Sequence, residues 1–153
     1  MAVSSTAVKG FTLIELMVVL VIVAALAAAA LPFTNAWVEG VRQSNARSQV
    51  SQAVGVAQGL AMRNPRGALQ GQAISRMTIA QGQVTVRDLG AAAVVWQASL
   101  GEGVAVLNEK TGQPLTCVEW DSRGAVVVAN GCQHTRQARL TMEGQDALTV
   151  DLL

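Results

Sequence analysis

The chain has 153 residues, 51% of them hydrophobic and 14% charged, with a formal net charge of +1. That length holds one membrane-length helix and one small globular domain. A balance so close to neutral does not imply a broad basic surface for nucleic acid, and leaves room only for a local patch.

Residues 1–10 read as a short leader to be set apart from the fold. From Phe11 to Leu31 every residue except Thr12 and Glu15 is apolar, a length that suits one membrane span as a helix. Lys9 is the one basic residue before this run, which orients the start of the chain toward the cytoplasm. Everything after Pro32 then lies outside the cytoplasm, where a disulfide is allowed. Glu15 is costly four residues into such a span and asks for a partner. A cut between Gly10 and Phe11 would supply one: a new α-amino group one helical turn from Glu15, able to neutralise it within or between chains. An ordinary secretory signal would instead be cut after its apolar core, at Ala28-Ala29-Ala30, but its core would be shorter and free of a carboxylate. A plain anchor explains the run and gives no reason for Glu15.

The stretch Lys9-Gly10-Phe11-Thr12-Leu13-Ile14-Glu15-Leu16, with its apolar run to Pro32, resembles the class III signal of type IV pilins and type II secretion pseudopilins. The resemblance implies cleavage after Gly10 by a membrane prepilin peptidase and methylation of Phe11. It places on Glu15 the acidic residue that meets the N-terminus of a neighbouring subunit, and on Pro32 the family's helix-breaking proline. Pro32 is expected to kink or open the helix, having no N–H and clashing with the preceding turn.

Residues 33–66 continue as an amphipathic helix. Val50, Ala53, Val54, Ala57, Leu60 and Ala61 keep the three-and-four spacing of one face, while Arg47, Ser48, Gln52 and Gln58 turn elsewhere. Gly40, Gly55 and Gly59 weaken this helix; they either permit close packing or mark a less regular stretch. Asn64-Pro65-Arg66-Gly67 ends it. Residues 67–153 then change texture to short β-like runs. Ile74 to Ala80 and Gln83 to Arg87 form a hairpin around Gln81-Gly82, followed by strands at Ala93 to Ser99 and Val104 to Leu107. Leu115 to Trp120 and Ala125 to Ala129 flank the turn Asp121-Ser122-Arg123-Gly124. Arg136 to Met142 and Ala147 to Leu152 make a last hairpin around Glu143-Gly144-Gln145. The expected class is α+β: a long N-terminal transmembrane helix (11–32) whose continuation packs on a small antiparallel β-sheet or sandwich head.

Two cysteines, Cys117 and Cys132, allow one intramolecular bridge or a pair of free buried thiols, and the compartment favours the bridge. A single His134 and no CxxC spacing give no metal site, and no cofactor is implied. Nor is there a nucleophile–base pair or Gly-rich phosphate loop to suggest an enzyme. A second resemblance covers about residues 90–132. Val94-Val95-Trp96-Gln97, Cys117 before Trp120-Asp121-Ser122-Arg123-Gly124, and Gly131-Cys132 look like the strands, turn and disulfide of the GspH/FimT branch of minor pilins and pseudopilins. By residue chemistry alone, Trp96 and Trp120 read as core, and Asp121 and Arg123 as turn formers.

The leading expectation is a structural subunit: a minor pilin of a type IV pilus, near the tip or in initiation, held in the inner membrane by one span with a periplasmic head before it enters the filament. Its partners would be prepilin peptidase and other major or minor pilins. A minor pseudopilin of a type II secretion system uses the same helix in a short periplasmic filament. A DNA receptor for natural transformation is a third class, with Arg136 and Arg139, near His134, as candidate phosphate contacts. Strand alternation sets those two arginines on opposite faces.

Overall fold

The computed structural model describes residues 11–153, and residues 30–36 by backbone alone. Gly10, one half of the expected processing junction, lies outside the described residues. The chain divides into two units, Met1–Val38 and Glu39–Leu153, and helix α1 (Leu13–Arg63, 51 residues) contributes to both. The helix begins two residues later than Phe11 and is unbroken at position 32, so the proline opens no gap in it. It stops at Asn64, whose φ of 40° leaves the helical region and whose side chain holds the Ala68 backbone from both sides.

In the first unit, every residue from Phe11 to Ala29 is exposed. Large apolar side chains such as Leu13, Leu20 and Leu26 show more than half their surface. The second unit is built the opposite way. Ala46, Val50, Ala53, Val54, Ala57 and Ala61 are buried on one face of the helix and join Met77, Val84, Val86, Val118, Trp120, Leu140 and Leu152 in one core. Small alanines at the contact let strands come close enough for the Ser75 hydroxyl to donate to the Ala57 carbonyl at 2.7 Å.

The head contains two antiparallel sheets. Strands β1 (Ser75–Ala80), β2 (Gln83–Asp88), β3 (Ala93–Ser99), β5 (Cys117–Trp120) and β6 (Val126–Val127) form a sheet in the order β3-β2-β1-β5-β6. Strands β4 (Ala105–Asn108), β7 (Gln137–Thr141) and β8 (Leu148–Asp151) form a second sheet in the order β4-β7-β8. Alternation of apolar and polar residues along β2 and β7 puts Val84, Val86, Ala138 and Leu140 inside. The β1–β2 hairpin turns on Gln81 and Gly82, both at positive φ (51° and 69°), the backbone that matches strand twist in a two-residue turn. In the β2–β3 pairing the register shifts between Val86 and Arg87 of β2, which leaves Val95 as an extra residue on β3, the outer strand.

Candidate assembly site at the helix N-terminus

Thr12-Leu13-Ile14-Glu15 opens α1 with a reciprocal set of hydrogen bonds. The Glu15 N–H donates to the Thr12 hydroxyl oxygen at 3.3 Å. In return, the Thr12 N–H and hydroxyl both donate to Glu15 Oε2 at 2.9 Å. This is a capping box, in which threonine and glutamate three residues apart satisfy each other's helix-end groups. It also sets an anionic group at the helix N-terminus, the end that favours negative charge. Glu15 is thus held by its own chain, a local partner that the expectation of a neutralising amine had passed over. The signal was present in sequence as threonine three residues before glutamate. Glu15 Oε1 has no hydrogen-bond partner among the described residues. Phe11, Ile14, Val18 and Val19 surround the carboxylate with exposed apolar surface, so the one anion of this stretch sits in a hydrophobic setting.

In the head, Cys117 and Cys132 are joined by a disulfide, with Cα atoms 5.0 Å apart. Beside it Gln133 makes its own ties. Its N–H donates to the Cys117 carbonyl, its side-chain oxygen accepts from the Thr116 N–H, and its side-chain nitrogen donates to the Pro114 carbonyl. Trp120 is fully buried and its indole N–H donates to the Leu152 carbonyl at 3.1 Å, a core role. Trp96 is partly buried against the same core.

Asp121 organises its turn. Its Oδ1 accepts the N–H groups of Arg123 and Ala125 at 2.9 and 3.1 Å, and its Oδ2 accepts from the Arg123 guanidinium. Burial by itself pushes this carboxyl up, but the Arg123 and Ala125 amides and the Arg123 charge together hold it below the ordinary aspartate value. Glu119, which the sequence reading did not single out, has a fully buried side chain. It is ion-paired with Arg76, directly across the β1–β5 ladder, and bonded by the Asn130 amide.

The two arginines considered for DNA are differently placed. Arg139 lies on β7 and pairs with Glu109 (Nε to Oε2, 3.0 Å), which occupies its guanidinium. Arg136 precedes the strand and lines a shallow cavity with Lys110 and His134. No group of three metal-ligating side chains occurs among the described residues. Among them too, no helix is long and apolar enough to cross a membrane. The final residues of the apolar run, 30–32, fall outside those whose side chains are described.

An N-terminal helix with an exposed apolar surface and a capped glutamate, followed in sequence by an antiparallel β head, makes this chain similar to type IV pilin-like proteins. Residues 5–31 match the family described as the prokaryotic N-terminal methylation motif. The chain is similar to the type IV major fimbrial protein FimA of Dichelobacter nodosus (strain VCS1703A), at 42% identity over 82 residues covering 54% of this chain and 46% of that protein. A second Dichelobacter nodosus FimA is 39% identical over 82 residues, 54% of this chain and 47% of its own. The matched segment thus spans about half the length of these curated relatives. No solved structure matches the chain at a significant level.

Proposed function

We propose that this chain is a structural subunit of a type IV pilus: a prepilin cut between Gly10 and Phe11, methylated on Phe11, and assembled by packing its N-terminal helix among those of its neighbours. The observation that carries the reading is the apolar helix surface from Leu13 to Ala29, exposed on all sides and interrupted only by a capped glutamate. A helix apolar all round belongs in lipid or in the core of an assembly. A pilin needs both, first in the inner membrane with a periplasmic head, then in the filament. Glu15 keeps Oε1 for a neighbour's N-terminal amine while Oε2 serves Thr12, so helix capping and subunit docking use different oxygens.

Within the pilus we assign it a minor position, at the tip or in initiation, on the resemblance of residues 90–132 to the GspH/FimT branch. The names of the similar proteins, major fimbrial proteins, favour a second reading as the main subunit. DNA binding is left out of the reading, because Arg139 already has Glu109 as its partner.

A clean deletion tests the assignment by counting surface pili and measuring protein secretion in the same strain, while quantifying the chain in sheared wild-type filaments. Pili lost with secretion intact, and the chain a trace component of the filaments, is the expected result. The chain as bulk component would make it the main subunit. Secretion lost with pili intact would make it a secretion pseudopilin and overturn the proposal.

A further inference from the structure

The chain has three tryptophans, and the head uses two of them. Trp120 is fully buried and donates its indole N–H to the Leu152 carbonyl, and Trp96 packs partly buried against the same core. Trp37 is placed differently. It lies on helix α1 ahead of Gln43, the first buried residue of the second unit, and shows 72% of its surface. An indole has a large apolar body and a polar N–H at its tip, so full contact with water forgoes most of what it can bury.

The spacing of polar groups along the helix says what covers this ring. Helix α1 is unbroken from Leu13 past Trp37, so each residue advances its axis by about 1.5 Å. After Glu15 the next polar side chains in sequence are Thr34 and Asn35. Glu15 and Thr34 are therefore about 29 Å apart along the axis, close to the hydrocarbon thickness of a bilayer, about 30 Å. Trp37 follows one turn later, about 33 Å from Glu15. With Glu15 at the cytoplasmic edge of the hydrocarbon, that level falls inside the opposite headgroup layer, which adds roughly 5–7 Å on each side. This is the layer in which an indole satisfies both its apolar body and its N–H.

We propose that Trp37 docks in the outer headgroup layer of the inner membrane and fixes the level at which the head leaves the bilayer, an inference that rests on the membrane stage of the reading above. The partner is the lipid surface itself. From Leu16 to Ala29 the helix is apolar and exposed all round, so nothing in that stretch gives it one preferred depth. A ring with a single favourable level resists movement in either direction along the bilayer normal. The contact belongs to the subunit before assembly and is given up when the chain enters a filament.

The test uses the full chain in vesicles of phosphatidylethanolamine and phosphatidylglycerol, with lipids brominated either near the glycerol end or near the methyl end of the acyl chain. Subtracting the emission of a Trp37→Phe chain from that of wild type isolates Trp37, and the emission left from Trp96 and Trp120 reports a folded head. Shallow bromines should quench the Trp37 emission at least about twofold more than deep ones, with aqueous iodide a weak quencher. In lipids with longer acyl chains the same profile should hold, because an anchored ring keeps its level while helix tilt and bilayer thickness adjust. Strong iodide quenching with no effect of either brominated lipid would put the ring in water and overturn the proposal. So would a profile that passes to the deep bromines as the bilayer thickens. A chain that fails to float with the vesicles would overturn the membrane stage first, and this inference with it.

Discussion

One helix serves two regions whose demands are opposite. From Leu13 to Ala29 its residues turn apolar side chains outward, and the one charged group among them is tied to its own chain through Thr12. After Glu39 the same helix hides alanines and valines against two sheets and exposes serine, arginine and glutamine. Apart from Glu15 and Met17, residues 13–29 are all leucine, isoleucine, valine and alanine, with no polar face. The second alternates at helical spacing, the pattern of a helix that has a single apolar neighbour. A stability change confined to the head should therefore leave the N-terminal half untouched, and an assembly change in that half should leave the head folded.

The largest break on the head side is Trp120→Ala. It removes the biggest fully buried side chain and leaves the Leu152 carbonyl without its indole donor, at a cost of about 3–5 kcal/mol measured by denaturant unfolding. Arg76→Ala leaves Glu119 buried with only Asn130 for a partner and should cost about 3 kcal/mol in the same assay. Mutation of both cysteines to serine releases a loop closed by residues 15 apart in sequence, worth about 3 kcal/mol by chain entropy. The bonds of Gln133 to Pro114, Thr116 and Cys117 should hold the segment in place, so hydrogen exchange at Gln133 should stay protected in the reduced head.

Acid sharpens the contrast further. Asp121 has a lowered folded-state pKa, so its contribution is complete above the ordinary aspartate range and is lost as pH falls through the depressed value. Head stability should therefore decline below about pH 4, and Asp121→Asn should flatten that decline. The smallest effect has the other sign. A methyl group at Gly55 would meet nothing within 4 Å, so Gly55→Ala should stabilise the head by about 0.5–1 kcal/mol through helix propensity alone.

Local features of this fold were readable in the sequence because they are set by neighbours along the chain. Gln81-Gly82 marks a two-residue hairpin, and the run from Ala93 to Ser99 has the bounds of β3. The Asp121 turn follows from a side chain that can reach its own downstream amides. Of the helix face expected from spacing, Leu60 proves only half-buried, while Ala46, one turn before Val50, is buried with the rest. What sequence did not reveal is what depends on distant pairing. The split into two sheets rests on β1 choosing β5 and on β4 choosing β7, partners 30 or more positions apart in their paired residues. Glu119 looks like an outward-facing polar residue until β1 brings Arg76 beside it and Asn130 folds over it. Gly55 and Gly59 raised the question of close packing, and within this chain neither answers a close neighbour.

The most direct test of the account compares two pools of a Glu15→Ala chain: processed protein in the membrane and protein recovered in sheared filaments. The account predicts cleavage between Gly10 and Phe11 close to wild type, a folded head, and a filament pool reduced at least several-fold. Entry into filaments at the wild-type level would contradict the role given to Glu15, and with it the claim that the exposed apolar helix is an assembly surface keyed by its one carboxylate.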